Sequence, residues 1–217
     1  MHAGFWLERW EQGQIGFHRD SAHPALLRYY SQLGAQPGEQ VFVPLCGKSH
    51  DLEWLAMQGL ELVGVELSER ATRDFFNGQG LEYRESSRPP FVLRESDAIH
   101  LYTGDYFALE PGLLEGCRLV YDRAALIALP AKMRQDYVHQ LTRLFPGPLC
   151  LLLITMEYHQ AQMQGPPFAV LEDEVRALFE PHCQVTRLQQ TDILDEEPRF
   201  RDKGLTKLAE SVYLIRA

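Results

Sequence analysis

Residues 41–68, VFVPLCGKSHDLEWLAMQGLELVGVELS, read as strand, tight turn, helix and strand, with a lone acid closing the second strand. Val41-Phe42-Val43 is a short apolar, β-rich run, and Pro44-Leu45-Cys46-Gly47 turns the chain. Ser49 and Asp51 suit the start of a helix, by capping and by favourable charge in its first turn. Leu52, Leu55 and Ala56 form an apolar stripe at i, i+3, i+4, and Gly59 suits the helix end. Leu62-Val63-Gly64-Val65 is a second buried strand, followed at once by Glu66. This is half of a nucleotide-binding α/β sheet, in which ligands sit beyond the carboxyl ends of parallel strands. An acid there can accept hydrogen bonds from both hydroxyls of an adenosine ribose, although a solvated acid opening the next helix would read the same way.

Two familiar phosphate motifs fail on this stretch. Gly47-Lys48-Ser49 looks like the end of a P-loop, but that motif needs a glycine where this chain has Phe42, inside a strand. The dinucleotide fingerprint G-x-G-x-x-G fails as well, because the turn holds one glycine and a proline. A pyrophosphate needs several backbone amides at close range. A ligand with ribose and adenine but no phosphate does not, and S-adenosylmethionine fits that description better than NAD.

The 217 residues suit one domain, able to bury roughly 70% of its unfolded surface. Thirty acids against 21 Lys and Arg give a formal net charge of −9, which opposes nucleic-acid binding. No apolar run approaches the roughly 20 residues that span a bilayer, and the amino terminus lacks a signal-peptide core. A cytoplasmic protein with no membrane or nucleic-acid partner is the expectation, and monomer is the default. The four cysteines form no C-x-x-C pair and read as reduced, mostly core residues. Eight histidines show no metal-ligand spacing, so no metal is expected; His18 keeps a minor reading as a substrate contact because it follows Phe17.

Outside the opening stretch, strand and helix alternate. Ser21–Leu33 reads as a helix with Pro24 near its start, and Ser68–Asn77 as another, capped by Ser68. Phe91–Tyr102 holds an alternating stretch ending in a strand at Ile99–Tyr102. Cys117–Tyr121 reads as a strand with Asp122-Arg123 at its carboxyl end, and Pro130 opens a long helix to Phe145. Leu149–Thr155 is so uniformly apolar that it reads as a central parallel strand covered on both faces. Glu172–Phe179 reads as a helix, and Gln184–Gln189 and Ser211–Ile215 as closing strands.

Several segments together resemble the bacterial-type thiopurine S-methyltransferases. They are Phe5-Trp6 with Trp10, Ile15-Gly16-Phe17-His18, Val43-Pro44-Leu45-Cys46-Gly47-Lys48 and Gly64-Val65-Glu66-Leu67-Ser68. Further along come Tyr121-Asp122-Arg123-Ala124-Ala125-Leu126, Gly165-Pro166-Pro167-Phe168 and Glu196-Glu197-Pro198-Arg199-Phe200. Their order and spacing cover nearly the whole chain, and the PLCGK turn is the most specific of them. The resemblance implies a class I methyltransferase: a doubly wound, mostly parallel seven-stranded sheet with helices on both faces and an antiparallel closing strand. It implies a single domain over residues 1–217, with 1–34 as an amino-terminal lid and helix and 41–217 as the α/β core.

The family carries roles onto matching positions. S-adenosyl-L-methionine would be held by Trp10, Leu45, Glu66, Asp105, Tyr106 and Arg123. The acceptor would meet Phe17, Arg123 and Arg199, the last subject to a slip of one or two positions in the loop. Plain readings stand beside these: Leu45 as core, Gly104-Asp105-Tyr106 as ordinary turn chemistry, Trp6 and Trp10 as a docking patch on one helix face, and Asp122-Arg123 as a structural pair. The implied reaction is methyl transfer to the sulfur of an aromatic or heterocyclic thiol such as a thiopurine, with no residue assigned as acid or base. Another small soft acceptor, a selenium or tellurium species, is the alternative within the class. A non-catalytic cofactor-binding protein or an NAD-dependent oxidoreductase is the alternative outside it.

Overall fold

A computed structural model describes residues 3–217; Met1 and His2, the first residues of the expected lid, lie outside the described residues. The chain divides into two compact units, with the boundary between Tyr121 and Asp122.

The first unit opens with α1 (Ala3–Glu11) and α2 (Pro24–Tyr29), the latter running on as a 3₁₀ turn to Leu33. Then come β1 (Gln40–Pro44), α3 (His50–Met57), β2 (Glu61–Glu66), α4 (Glu69–Gln79), β3 (Arg84–Arg88), β4 (Phe91–Ser96), β5 (Ile99–Thr103) and β6 (Leu119–Arg123), whose last two residues pass the boundary. β1, β2, β5 and the start of β6 pair in parallel, in the order β5-β2-β1-β6. The local chemistry follows the residues. Ser49 Oγ accepts from Asp51 N–H at 3.2 Å to cap α3, and Ser68 Oγ caps α4 through Ala71 N–H at the same distance. Gly80, at φ 65°, ends α4 in the left-handed conformation that glycine adopts without penalty. Helices α3 and α4 both pack on β2.

The second unit holds α5 (Ala131–Leu144), β7 (Cys150–Glu157), α6 (Glu172–Phe179), β8 (Gln184–Asp192), α7 (Pro198–Arg201) and β9 (Ala209–Arg216). β9 pairs antiparallel with both β7 and β8. Its smaller core gathers Tyr158, Ala169, Ile193, Leu194, Phe200, Leu205 and Leu208.

The α/β class is as expected, but strand count and order are not. The described residues contain nine strands rather than seven. The additional pairings are antiparallel: β3 pairs with β4 and β4 with β5, through two-residue turns at Pro89-Pro90 and Asp97-Ala98. The strands of the first unit are therefore parallel from β5 to β6 and antiparallel beyond β5, and those of the second unit pair antiparallel. β3, RESSR, is almost wholly exposed, so it carries no apolar alternation to betray it. β7 is buried over its first six residues as expected of a covered strand, yet its partner β9 runs antiparallel along all eight residues.

One polar group is fully buried at the start of the second unit. Asp122 accepts from the Tyr137 hydroxyl at 2.6 Å and from Leu126 N–H at 3.2 Å. Burial pushes its carboxyl up to about 6, against the pull of those hydrogen bonds. Because the folded value lies above the unfolded one, the folded state holds the extra proton, and stability falls as pH rises from about 4 through 6. Asp122→Asn removes this titration. The unfolding free energy of the wild type should lose about 2 kcal/mol relative to the variant between about pH 4 and about pH 7. Denaturant melts across that range check it, and a pH-independent difference would mean the burial is not felt by the charge.

Candidate active site

The turn after β1 is tied to the end of β2. Leu45 lies at φ 47°, a left-handed conformation costing a non-glycine residue about 1–3 kcal/mol, and such strain persists where the surroundings impose it. The surroundings are identifiable. Cys46 N–H donates to Val65 O at 3.0 Å, and Gly47 N–H donates to Glu66 Oε2 at 2.9 Å. Gly64 makes the approach possible: a Cβ there would stand 2.9 Å from Cys46 Sγ and 2.7 Å from Leu101. The Cys46 thiol is buried and pushed well up, first by desolvation and then by Glu66, so it stays protonated. It is no nucleophile.

Glu66 is buried at the carboxyl end of β2, with both oxygens engaged by backbone. Oε2 takes the Gly47 amide and Oε1 takes Ser68 N–H at 2.8 Å. Burial raises its pKa, while the hydrogen bonds from the Ser68 and Gly47 amides act against the rise. A carboxylate offers about four lone-pair positions, so two remain for further donors. Next to it in register, Thr103 ends β5, and Gly104 N–H donates to Glu66 O at 2.9 Å.

Asp105 and Tyr106 follow that strand. Asp105 is exposed, and its carboxylate accepts from Phe107 N–H at 3.0 Å, capping a short 3₁₀ turn. Tyr106 is buried, its ring stacked on Phe42 of β1 at 6.5 Å between centroids. The Tyr106 side chain thus belongs to the core, and a ligand contact here falls to its backbone.

The amino-terminal helix reaches this turn. Trp10 is buried, and its ring lies so close to Gly47 that a Cβ there would meet Cζ2 at 3.2 Å. Phe17 sits edge-on to Trp10 at 5.6 Å and to Trp6 at 6.1 Å. Trp6 and Trp10 were expected to share a helix face; Phe17 completes that face as a three-ring cluster. The end of α1 is held by Arg70 of α4, which donates to Glu11 O at 2.9 Å and pairs with its carboxylate at 3.4 Å. Arg70 carried no motif, and its part is visible only in three dimensions.

In the second unit, Arg123 ends β6, and its guanidinium has no hydrogen-bond or ion-pair partner among the described residues. Ala124 follows at φ 66°, a second non-glycine residue in the left-handed region just beyond a site strand. Asp122 closes this turn through Leu126, and Ile127 O accepts from Phe168 N–H at 2.7 Å. The Gly165–Phe168 loop is therefore fastened to the turn after Arg123, and Tyr158 donates to Pro167 O at 2.6 Å to hold its other side. Arg199 is exposed, paired with Glu197 at 2.9 Å and lying over the Phe200 ring at 4.8 Å. Among the described residues no group of three or more His, Cys, Asp or Glu is arranged to hold a metal.

The comparisons with known proteins agree from end to end. The family model described as thiopurine S-methyltransferase matches residues 1–217. A thiopurine S-methyltransferase of Pseudomonas paraeruginosa is 47% identical over 216 residues, covering 100% of this chain and 99% of its own. One of Nitrosospira multiformis is 44% identical over 215 residues, covering 99% and 98%. Solved structures share the fold at low identity. A SAM-dependent methyltransferase of Anabaena variabilis aligns with TM-score 0.66 and 11% identity, over 98% of this chain and 93% of that one. The 1,6-didemethyltoxoflavin-N1-methyltransferase of Burkholderia thailandensis, solved with S-adenosylhomocysteine, aligns with TM-score 0.64 and 16% identity, over 99% and 86%. The turn after β1, the buried acid after β2 and the tryptophan over them thus lie in a chain that belongs to the thiopurine S-methyltransferase family.

Proposed function

We propose that this chain binds S-adenosylmethionine at the carboxyl ends of β1, β2 and β5 and methylates the sulfur of aromatic and heterocyclic thiols, thiopurines among them. The observation that carries the reading is the Glu66 carboxylate: buried, oriented by two backbone amides, and still able to accept from two hydroxyls. The site fits the donor without a phosphate cradle, since its turn offers the single glycine Gly47 and a strained Leu45. When bound, S-adenosylmethionine supplies an electrophilic methyl carbon on a sulfonium. The π face of Trp10 favours that positive charge, by about 0.5–2 kcal/mol in a cation–π contact. The backbone of Asp105-Tyr106 serves the adenine edge, and the turn at Leu45 the amino-acid end.

In the first unit Phe17 offers a flat surface for a ring; in the second, Arg123 offers an unengaged guanidinium for a thiolate or ring nitrogen. Arg199 joins it after exchanging Glu197 for the acceptor. Guanidinium stays protonated and does not compete for the methyl group. A heteroaromatic thiol ionises near neutral pH, so this chain's residues need only bind, orient and exclude water. Residues 3–17 act as a cover over the donor, with Trp10 as the contact and Arg70 as the tether.

Glu66→Ala should weaken S-adenosylmethionine by roughly ten- to a hundredfold in calorimetry, since charge-assisted hydrogen bonds contribute about 1.5–3 kcal/mol. Glu66→Gln should fall between, because its amide nitrogen would face the N–H of Gly47 or Ser68. Unchanged affinity in a folded Glu66→Ala protein would take Glu66 out of the site.

Removing residues 1–16 should leave a folded protein that binds S-adenosylhomocysteine at least about tenfold more weakly, having lost the Trp10 contact. In the intact protein, limited proteolysis near Trp10 should slow when S-adenosylhomocysteine is added. Equal cleavage rates would mean the helix is docked without covering anything.

The acceptor itself is tested by a pH–rate series on three thiols of different acidity. The low-pH limb of kcat/KM should move with each thiol's own pKa, and the oxygen analogue of one ring should react far more slowly. A limb fixed at one pH for all three, or equal rates on the oxygen analogue, would reveal a protein base and overturn the sulfur reading.

A further inference from the structure

Arg94, in the middle of β4, is fully buried although it lies outside every motif of the family resemblance. Its guanidinium is nonetheless almost fully used. Nη1 donates to Thr72 Oγ1 at 2.9 Å and to Thr103 Oγ1 at 2.7 Å, and the two hydroxyls lie 2.9 Å from each other. Nη2 pairs with Glu69 at 3.0 Å and with Glu85 at 2.7 Å. Burying a guanidinium is costly, and an apolar side chain facing its cross-strand partner Leu101 would fill the same place at no such cost. Charge at this position therefore does something that packing would not.

The partners show what that is. Glu69 is the first residue of α4 and Thr72 lies one turn on, so both belong to the helix whose cap, Ser68, gives its N–H to Glu66 Oε1. Thr103 is the register partner of Glu66 on β5 and precedes Gly104, whose N–H holds the Glu66 carbonyl. The two backbone segments that flank Glu66, one on each side, are thus joined behind it through one guanidinium. A second contact from the same strand points the same way: a Cβ on Gly104 would stand 2.3 Å from the Phe91 ring, so β4 also shapes the bend into Asp105.

We propose that Arg94 is a positioning residue for S-adenosylmethionine, setting the separation of the Ser68 and Thr103 segments so that Glu66 and the Asp105-Tyr106 backbone meet one ligand together; this rests on the binding reading above. Arg94 touches no reacting atom and acts through Thr72, Thr103 and Glu69. A lysine, a single point charge on a flexible stem, cannot serve acceptors on α4, β3 and β5 at once.

The test is calorimetry with S-adenosylhomocysteine on the full chain, alongside acceptor KM and thermal melts, for the wild type, Arg94→Met, Arg94→Lys and Thr103→Val. Arg94→Met should bind about tenfold more weakly, with acceptor KM kept within about twofold. Arg94→Lys should recover little of this, and Thr103→Val should lose about threefold without a matching loss of melting temperature. That split separates positioning from general destabilisation, which would move both ligands and the melt together. A folded Arg94→Met with wild-type affinity overturns the proposal; if that variant does not fold, wild-type affinity in both Thr103→Val and Thr72→Val overturns it. A wild type that fails to bind S-adenosylhomocysteine would instead overturn the binding reading itself.

Discussion

The grip of one carboxylate on two amides organises the first unit. Glu66 ends β2, yet its oxygens reach sideways to Gly47 on the turn after β1 and forward to Ser68 at the head of α4. Three elements converge on a group that burial makes costly to ionise. The strain at Leu45 and the missing side chain at Gly64 follow from bringing the turn that close. Trp10 then lies on Gly47, where any side chain would obstruct it. For the donor proposed to bind at Glu66, the acceptor oxygens are already aimed, so little ordering would oppose binding.

Much of this was legible in residues 41–68 because every level of the chain agrees there. The β-rich run, the caps at Ser49 and Ser68, the stripe on α3 and the acid after β2 all point to one arrangement, and the structure has each of them. What was not legible is of two kinds. β3 is polar on both faces, and an exposed edge strand leaves no hydrophobic period to read. Contacts between distant residues leave no local trace either: Trp10 on Gly47, Arg70 on Glu11 and Arg94 on Thr103 depend on topology, and no spacing announces them. The helix expected over Ser21–Leu33 begins only at Pro24, behind the His23 cap, and tightens into a 3₁₀ turn after Tyr29.

The positions carried over from the family differ in how they sit. Trp10, Phe17, Leu45 and Glu66 are joined by direct contacts or by the turn itself. Asp105 spends its carboxylate on Phe107 N–H, which is the turn chemistry its sequence context suggested. Arg123 and Arg199 contrast most. The first is unengaged beside a strained Ala124, whereas the second is held by Glu197 two residues away, a local pairing that an alignment of loops does not reveal.

The burial of all four cysteines acquires a meaning once the acceptor is a thiol. Aromatic thiols oxidise to disulfides, and a disulfide is captured by any accessible thiolate through exchange. Desolvation raises Cys46 and Cys183 and lifts Cys117 to about 11, so at neutral pH these groups are protonated as well as enclosed. Cys46 is the telling case, since it sits in the turn after β1, packed against Gly64. The same closeness that brings Leu45 into the left-handed region thus keeps the Cys46 sulfur enclosed and protonated, and so out of exchange with thiol-derived disulfides.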